Sequence, residues 1–329
     1  MQKQKCSLEL YSNFLIANHN RYSGLELSKV SGDEPMSHDA VSRWLSRANF
    51  KPTELLNQVQ HLVDKTVGYL IVDDSTLDKR YSRQNELAKN QYSGNVHGLV
   101  YGINLVNMLW TDMDKIVPVD YRVYRKGTVD DEDKTKHDLF REMLKRLITK
   151  GFSPAYVLMD TWYASVANMK YIVSLQQKFL CSIACNRKVS VQKNVYVSIQ
   201  DLELASTQVR KVWLKEFGYV LVCKTVATNG DVTYLVTNDL QLTCHTDYIK
   251  HFEQRWKIEE FHRGIKQTTG IEQCYSTKAV SQKTHIFSAF RAFLKLEARR
   301  LTEGISWYEQ KATISRMSTA NYLAFCANA

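Results

Sequence analysis

Apolar residues near the N-terminus recur at helical spacing. Leu8, Leu10, Tyr11, Phe14 and Leu15 predict a helix within residues 8–19, and Leu25 to Val30 predicts a second. A break at residues 31–35 precedes Ser37, a suitable N-cap for His38 to Leu45. On that third helix Val41, Trp44 and Leu45 make the apolar face, while His38, Ser42 and Arg43 point outward. Pro52 suits a first helical turn and opens a helix through Val63.

From Gly68 the period changes. Tyr69 to Val72, His97 to Leu109 and Ile116 to Tyr124 read as three antiparallel strands, followed by a helix from Asp131 to Thr149. Ala155 to Met159 is a short, wholly apolar strand of the kind buried on both faces, ending at Asp160; a helix from Ser165 to Gln176 and a strand from Phe179 to Ala184 follow. This order matches an RNase H-like core. Valine-rich runs between 186 and 245, with Asn229-Gly230 as a hairpin signal, predict a β-rich insertion. Thr246-Asp247 then suits the cap of a long helix, and the remainder is helical. The expected organisation is an α/β protein: a helical module at 1–66, the first part of the core at 67–185, the insertion at 186–245, and the completing helices at 246–329.

With 329 residues, 44% hydrophobic and 24% charged, the chain can bury a full core and has no disordered character. Its 44 Lys and Arg against 34 Asp and Glu leave a charge of +10, which suits a polyanionic partner. Residues 1–7 lack the apolar core of a signal peptide, and the uncharged run from Val96 to Trp110 is too short to span a bilayer, so a cytoplasmic protein without membrane contact is expected. The seven cysteines read as reduced thiols. Cys181, Cys185 and Cys244-His245 form a weak zinc candidate, because Cys181 sits in a strand-like apolar stretch.

Asp74 and Asp160 each follow an apolar strand, and those two strands would be neighbours. Carboxylates gathered from separate elements are the usual means of holding two divalent cations for phosphodiester chemistry. An Asp at a strand end is also a common turn residue. The third carboxylate comes from the helix after the insertion. At ~100° per residue, Phe252, Arg255, Glu259 and Lys266 fall within roughly 60° of one another, apart from an apolar face of Ile258, Phe261 and Ile265. A solvated, salt-bridged helix face would show the same pattern.

The spacing Phe252-(2)-Arg255-(3)-Glu259-(6)-Lys266 resembles the Y-(2)-R-(3)-E-(6)-K signature of a large group of bacterial insertion-sequence DDE transposases, with Phe252 where a tyrosine is usual. Val72-Asp73-Asp74-Ser75-Thr76 resembles the first aspartate segment of that family, and Leu158-Met159-Asp160-Thr161-Trp162-Tyr163 the second. The similarity runs over about residues 66–300. It implies that Asp74, Asp160 and Glu259 bind two Mg2+ ions, which Mn2+ can replace, and that Arg255 and Lys266 contact DNA phosphates. Asp73 is the competing first ligand, since alternate strand residues point to opposite faces. The implied activity is cleavage at transposon ends and strand transfer into target DNA. Double-stranded DNA, both terminal inverted repeats and target, is the implied partner, bound by a homodimer in a bacterial nucleoid. The alternatives are a nuclease or resolvase on the same fold that cuts without joining, and a DNA-binding descendant that no longer cuts.

Two further groups are candidates for DNA contact. The first helices have a helix-turn-helix outline, in which Ser37, His38, Ser42 and Arg43 would reach base edges, although a plain helical bundle has the same pattern. In the insertion Trp213, between Val212 and Leu214, is either a base-stacking residue, as in relatives, or a core tryptophan.

Overall fold

The computed structural model describes residues 6–31, 36–82, 84–93, 98–125, 134–192 and 194–327. Four helices come first: α1 (Leu8–Ala17), α2 (Gly24–Lys29), α3 (His38–Arg47) and α4 (Leu55–Val59). Ser7, Ser23 and Ser37 each cap a helix by accepting a hydrogen bond from a backbone N–H three residues on. The expected helix from Pro52 to Val63 is a single 3-10 turn running into α4 and stops at Val59. Of the break expected at 31–35, only Ser31 lies within the described residues.

Strands β1 (Tyr69–Asp78), β2 (Lys89–Ser93), β3 (Gly98–Thr111) and β4 (Val117–Tyr124) follow, then helix α5 (Lys136–Thr149). The start expected for α5 at Asp131, and His97 at the expected start of β3, lie outside the described residues. Next come β5 (Tyr156–Met159), α6 (Val166–Ser174) and β6 (Phe179–Ile183). Five strands, β7 (Lys188–Gln192), β8 (Val195–Ser198), β9 (Val209–Leu214), β10 (Gly218–Val226) and β11 (Val232–Thr237), precede the closing helices α7 (His245–Glu253), α8 (Lys257–Thr269), α9 (Ala279–Glu303) and α10 (Trp307–Ala327).

The eleven strands described join one mixed sheet in the order β2-β3-β1-β5-β6-β11-β10-β9-β7-β8, with β4 paired to β3 beyond β2 on the edge away from β1. β1 is antiparallel to β3 and parallel to β5, and β5 is parallel to β6. The five strands after β6 extend this sheet, because β11 pairs antiparallel with β6. At the β10–β11 hairpin Gly230 takes φ +89, the left-handed conformation that the Asn229-Gly230 pair supplies.

Helices cover both faces around β4. Tyr121 stacks on Phe290 of α9 at 4.3 Å, whereas its neighbour Asp120, fully buried, pairs with Arg146 of α5 at 2.9 Å. Adjacent strand residues point to opposite faces, so α5 and α9 lie on opposite sides of the sheet. The N-terminal helices pack onto α9 and share its core: Tyr11 bonds His285 at 2.9 Å, and Phe50 stacks on Phe287. α8 lies between α9 and β1. Its close fit needs Gly264, where a Cβ would sit 2.8 Å from the Trp307 ring. Among the described residues no helix is long and apolar enough to cross a membrane.

Candidate active site

The acidic residues meet where β1, β5 and the α7–α8 segment come together. β1 runs on to Asp78, so Asp73 and Asp74 stand inside it and not at its end as the apolar run predicts; polar Asp73 to Thr76 are held in the strand by pairing with β3 through Asp78↔Gly102. The β1/β5 register passes through Ile71↔Leu158. Two residues further on each parallel strand are Asp73 and Asp160, which places those carboxyls side by side.

The two β1 aspartates have different surroundings. Asp73 shares its strand face with Asn107 of β3, whose Nδ2 donates to His262 Nε2 on α8 at 3.0 Å. Burial first, then the charges of Asp160 and Asp74, push the Asp73 carboxyl up to about 7. Asp160 is raised chiefly by burial and also by the charge of Asp74, against a hydrogen bond from the Tyr163 backbone N–H (2.9 Å) and the charge of Arg255. Asp74 turns to the α5 face. There its Oδ2 accepts from Lys136 Nζ at 2.7 Å and from Asn104 Nδ2 at 2.9 Å, and Tyr163 Oη lies 3.4 Å from Oδ1.

The predicted single helix carrying Glu259 is two helices, α7 and α8, joined by a 3-10 turn at Gln254–Trp256. The turn does not scatter the stripe. Phe252, Arg255, Glu259 and Lys266 line one cleft of about 980 Å³ together with Asp73, Asp74, Asp160 and His262. Arg255 Nη2 donates to Glu259 Oε1 at 2.7 Å and its guanidinium lies over the Phe252 ring. Lys266 Nζ donates to Thr76 O at 2.7 Å and pairs with Glu272 at 3.1 Å. His262 is partly exposed to the cleft, and its pKa falls to about 3 through burial and the charge of Lys266. Neutral, with Nε2 accepting from Asn107, it carries its proton on Nδ1.

Among the described residues no three His, Cys, Asp or Glu side chains sit close enough to hold one metal ion. Lys136 occupies Asp74 and Arg255 occupies Glu259. The donors are nonetheless the hard carboxylate oxygens that Mg2+ and Mn2+ take, and the repulsion that raises Asp73 is what a cation between the aspartates would relieve. The zinc candidate does not assemble: Cys181 is buried in β6, whereas Cys185 and Cys244 are exposed.

Ser37, His38, Ser42 and Arg43 lie on the exposed side of α3 and do not line the cleft. The Ser37 hydroxyl accepts from Ala40 N as the helix cap, and His38 lies 3.1 Å from Asp39. Trp213 is 40% exposed on β9, edge-on to Tyr219 at 5.1 Å, and also stands off the cleft. That exposure is incompatible with a core tryptophan. Sequence reading does not single out Lys136, Asn104, Asn107 or His262. Only His262 leaves a trace, three residues after Glu259 and on the same helix face.

Residues 2–198 match the family model for DDE superfamily endonucleases, and residues 110–302 match that of the archaeal ISC1217 transposases. No curated protein matches. Among solved structures, the strand transfer complex of the Drosophila P element transposase is similar at 14% identity and a TM-score of 0.29, over 53% of this chain and 37% of that one. Endonuclease V from Bacillus subtilis is similar at 9% identity and a TM-score of 0.29, over 68% of this chain and 91% of that one. Likenesses this remote carry no argument, but each family model spans more than half of the chain. This chain therefore belongs to the DDE superfamily of endonucleases, the superfamily that includes transposases.

Proposed function

We propose that this protein is a metal-dependent DDE transposase that cuts DNA at transposon ends and joins the freed 3′ ends to target DNA. The observation that carries this reading is the convergence of Asp73, Asp160 and Glu259, with Arg255 and Lys266, in one cleft. The order β4-β3-β1-β5-β6, three antiparallel strands followed by two parallel ones, supports an RNase H-like core. The Phe252, Arg255, Glu259 and Lys266 stripe facing that cleft supports the insertion-sequence signature.

In this reading Asp73, not Asp74, is the first ligand, since Asp73 stands beside Asp160 while Asp74 is held by Lys136 and Asn104. Asp73, Asp160 and Glu259 would hold two Mg2+ or Mn2+ ions once Arg255 turns from Glu259 to a DNA phosphate. When bound, such ions activate water or a 3′ hydroxyl and stabilise the leaving oxygen. Arg255 and Lys266 neutralise the backbone at the scissile site, and Phe252 supports the Arg255 guanidinium from below. Ser37, His38, Ser42 and Arg43 on α3 would read double-stranded DNA, and Trp213 with Tyr219 and Lys211 offers an aromatic and basic edge for a displaced base. A homodimer would hold two ends together.

The test is cleavage of DNA carrying the element's ends in Mg2+ or Mn2+. Asp73→Ala, Asp160→Ala and Glu259→Ala are each expected to abolish cutting, with folding and end binding kept, whereas Asp74→Ala slows it. Full cleavage by a folded Asp160→Ala or Glu259→Ala variant refutes the assignment, and an inactive Asp74→Ala beside an active Asp73→Ala reverses the first ligand. A wild-type protein that cuts but never joins a pre-cut end to target DNA is a nuclease of this fold.

A further inference from the structure

On the α5 side of Asp74, outside the lining of the cleft, is an aromatic surface that the proposed chemistry leaves unused. Trp162 follows Asp160 by two residues and is 51% exposed, whereas its neighbour Tyr163 is wholly buried. Its indole is nevertheless held from three directions. The His137 imidazole stacks on it at 4.5 Å with an interplanar angle of 8°. Tyr163 meets it edge-on at 4.7 Å, and Lys136 Nζ lies 5.4 Å from the ring centroid. His137 is fixed in turn by the Asn168 amide at 2.9 Å. The same Lys136 ammonium is 2.7 Å from Asp74 Oδ2 and 5.5 Å from the Tyr124 ring centroid.

A tryptophan placed for burial would not leave half its surface in water, and a surface tryptophan without a role would not be fixed by so many partners. A rigid indole with open area, next to a cation that also touches the acidic site, matches one chemistry: a flat heteroaromatic ring on an anionic chain. Asp74 lines the cleft and Lys136 bridges it to the indole, 2.7 Å from the one and 5.4 Å from the other, so on the proposed functional reading a nucleotide flanking the phosphodiester at the carboxylates lies within reach of Trp162.

We propose that Trp162, backed by His137 and flanked by Lys136, is a stacking site for an unpaired nucleobase adjacent to the scissile phosphate. Base–aromatic stacking depends little on base identity, so the site would hold the strand in place without reading its sequence. Trp162 would thus be a positioning residue, distinct from the Trp213 edge.

The experiment uses the full-length protein and a DNA duplex with a three-nucleotide 3′ overhang carrying 2-aminopurine, with binding followed by anisotropy and stacking by quenching of the 2-aminopurine emission. Trp162→Leu is expected to bind about 5- to 150-fold more weakly than wild type, the range set by stacking worth roughly 1–3 kcal/mol, and to leave the emission unquenched. Trp162→Phe should recover most of the affinity and quenching. On the same duplex with an abasic overhang, wild type and Trp162→Leu should bind alike. This comparison separates lost stacking from a general fault in folding. Equal binding and quenching by wild type and Trp162→Leu overturns the proposal, and so does a loss of the same size on the abasic overhang. Because the site rests on the functional reading, Mg2+-dependent cleavage by wild type is measured alongside. An inactive wild type that does not bind DNA defeats both, whereas an active wild type with an indistinguishable Trp162→Leu variant defeats the stacking site alone.

Discussion

Replacing Asp73 by Asn should stabilise this protein at high pH while removing its proposed catalytic chemistry. Burial and the charges of Asp160 and Asp74 push the Asp73 carboxyl from 3.8 up to about 7. Across that window the native state holds a proton that the unfolded chain has released. Stability therefore falls as the pH rises from about 4 to about 7, and the loss is complete above it. About three pH units at 1.36 kcal/mol each give an upper bound of about 4 kcal/mol, and because the repulsion is shared among three aspartates a gain of about 2–4 kcal/mol is expected. Asn keeps the shape, and its Oδ1 can still accept the Asp74 backbone N–H at 2.7 Å. Urea unfolding without divalent cations reads the effect: the variant should be more stable than wild type at about pH 8, by less than half as much at about pH 5. Adding Mg2+ should narrow the gap by stabilising wild type alone. A variant no more stable than wild type at pH 8, or one whose gain is the same at both pH values, refutes the argument that Asp73 is a half-buried, mutually repelled carboxyl.

The exposed edge-on packing of Trp213 against Tyr219 limits what Trp213→Ala can cost to about 1.5 kcal/mol in thermal unfolding. A loss of about 3–5 kcal/mol would restore the core role that its neighbours Val212 and Leu214 suggest. Lys136→Met removes the ammonium 2.7 Å from Asp74, which stands outside the proposed ligand set, so Mn2+ affinity measured by electron paramagnetic resonance without DNA should change by less than about tenfold, the scale of one charge-assisted hydrogen bond; a larger gain would place Asp74 among the ligands.

Residues whose role depends on a local period were legible in the sequence. Helical spacing alone brought Phe252, Arg255, Glu259 and Lys266 to one side, and they line one cleft even though a 3-10 turn divides the helix, because a single tight turn shifts the face by only part of a turn. The apolar faces of α3 and α5 and the β10–β11 hairpin were legible for the same reason. Strand β2 was not. Lys89-Asn90-Gln91-Tyr92-Ser93 shows no apolar alternation, and pairing with β3 is what makes it a strand. Lys136 and Asn104 were illegible too, since each reaches Asp74 across the fold from a distant position in the chain.

The choice between Asp73 and Asp74 shows where sequence reading stops. Both are followed by hydroxyl residues, and both belong to the segment that resembles the first aspartate of the family. What separates them is the parallel register of β1 on β5, which no residue pattern encodes, because parallel neighbours come from segments far apart in the chain. Once that register is known, the two consecutive acids take different tasks by alternation alone. Asp73 meets Asp160 on the face served by Arg255 and α8, where negative charge accumulates and its carboxyl resists ionisation. Asp74 meets Lys136, Asn104 and Tyr163 on the face of α5, while its charge still acts on Asp73 and Asp160. One strand therefore joins the two acidic surroundings, and Lys136 sits between Asp74 and the indole of Trp162. Any strand of DNA that draws Lys136 toward its phosphates would act on Asp74 and on Trp162 together.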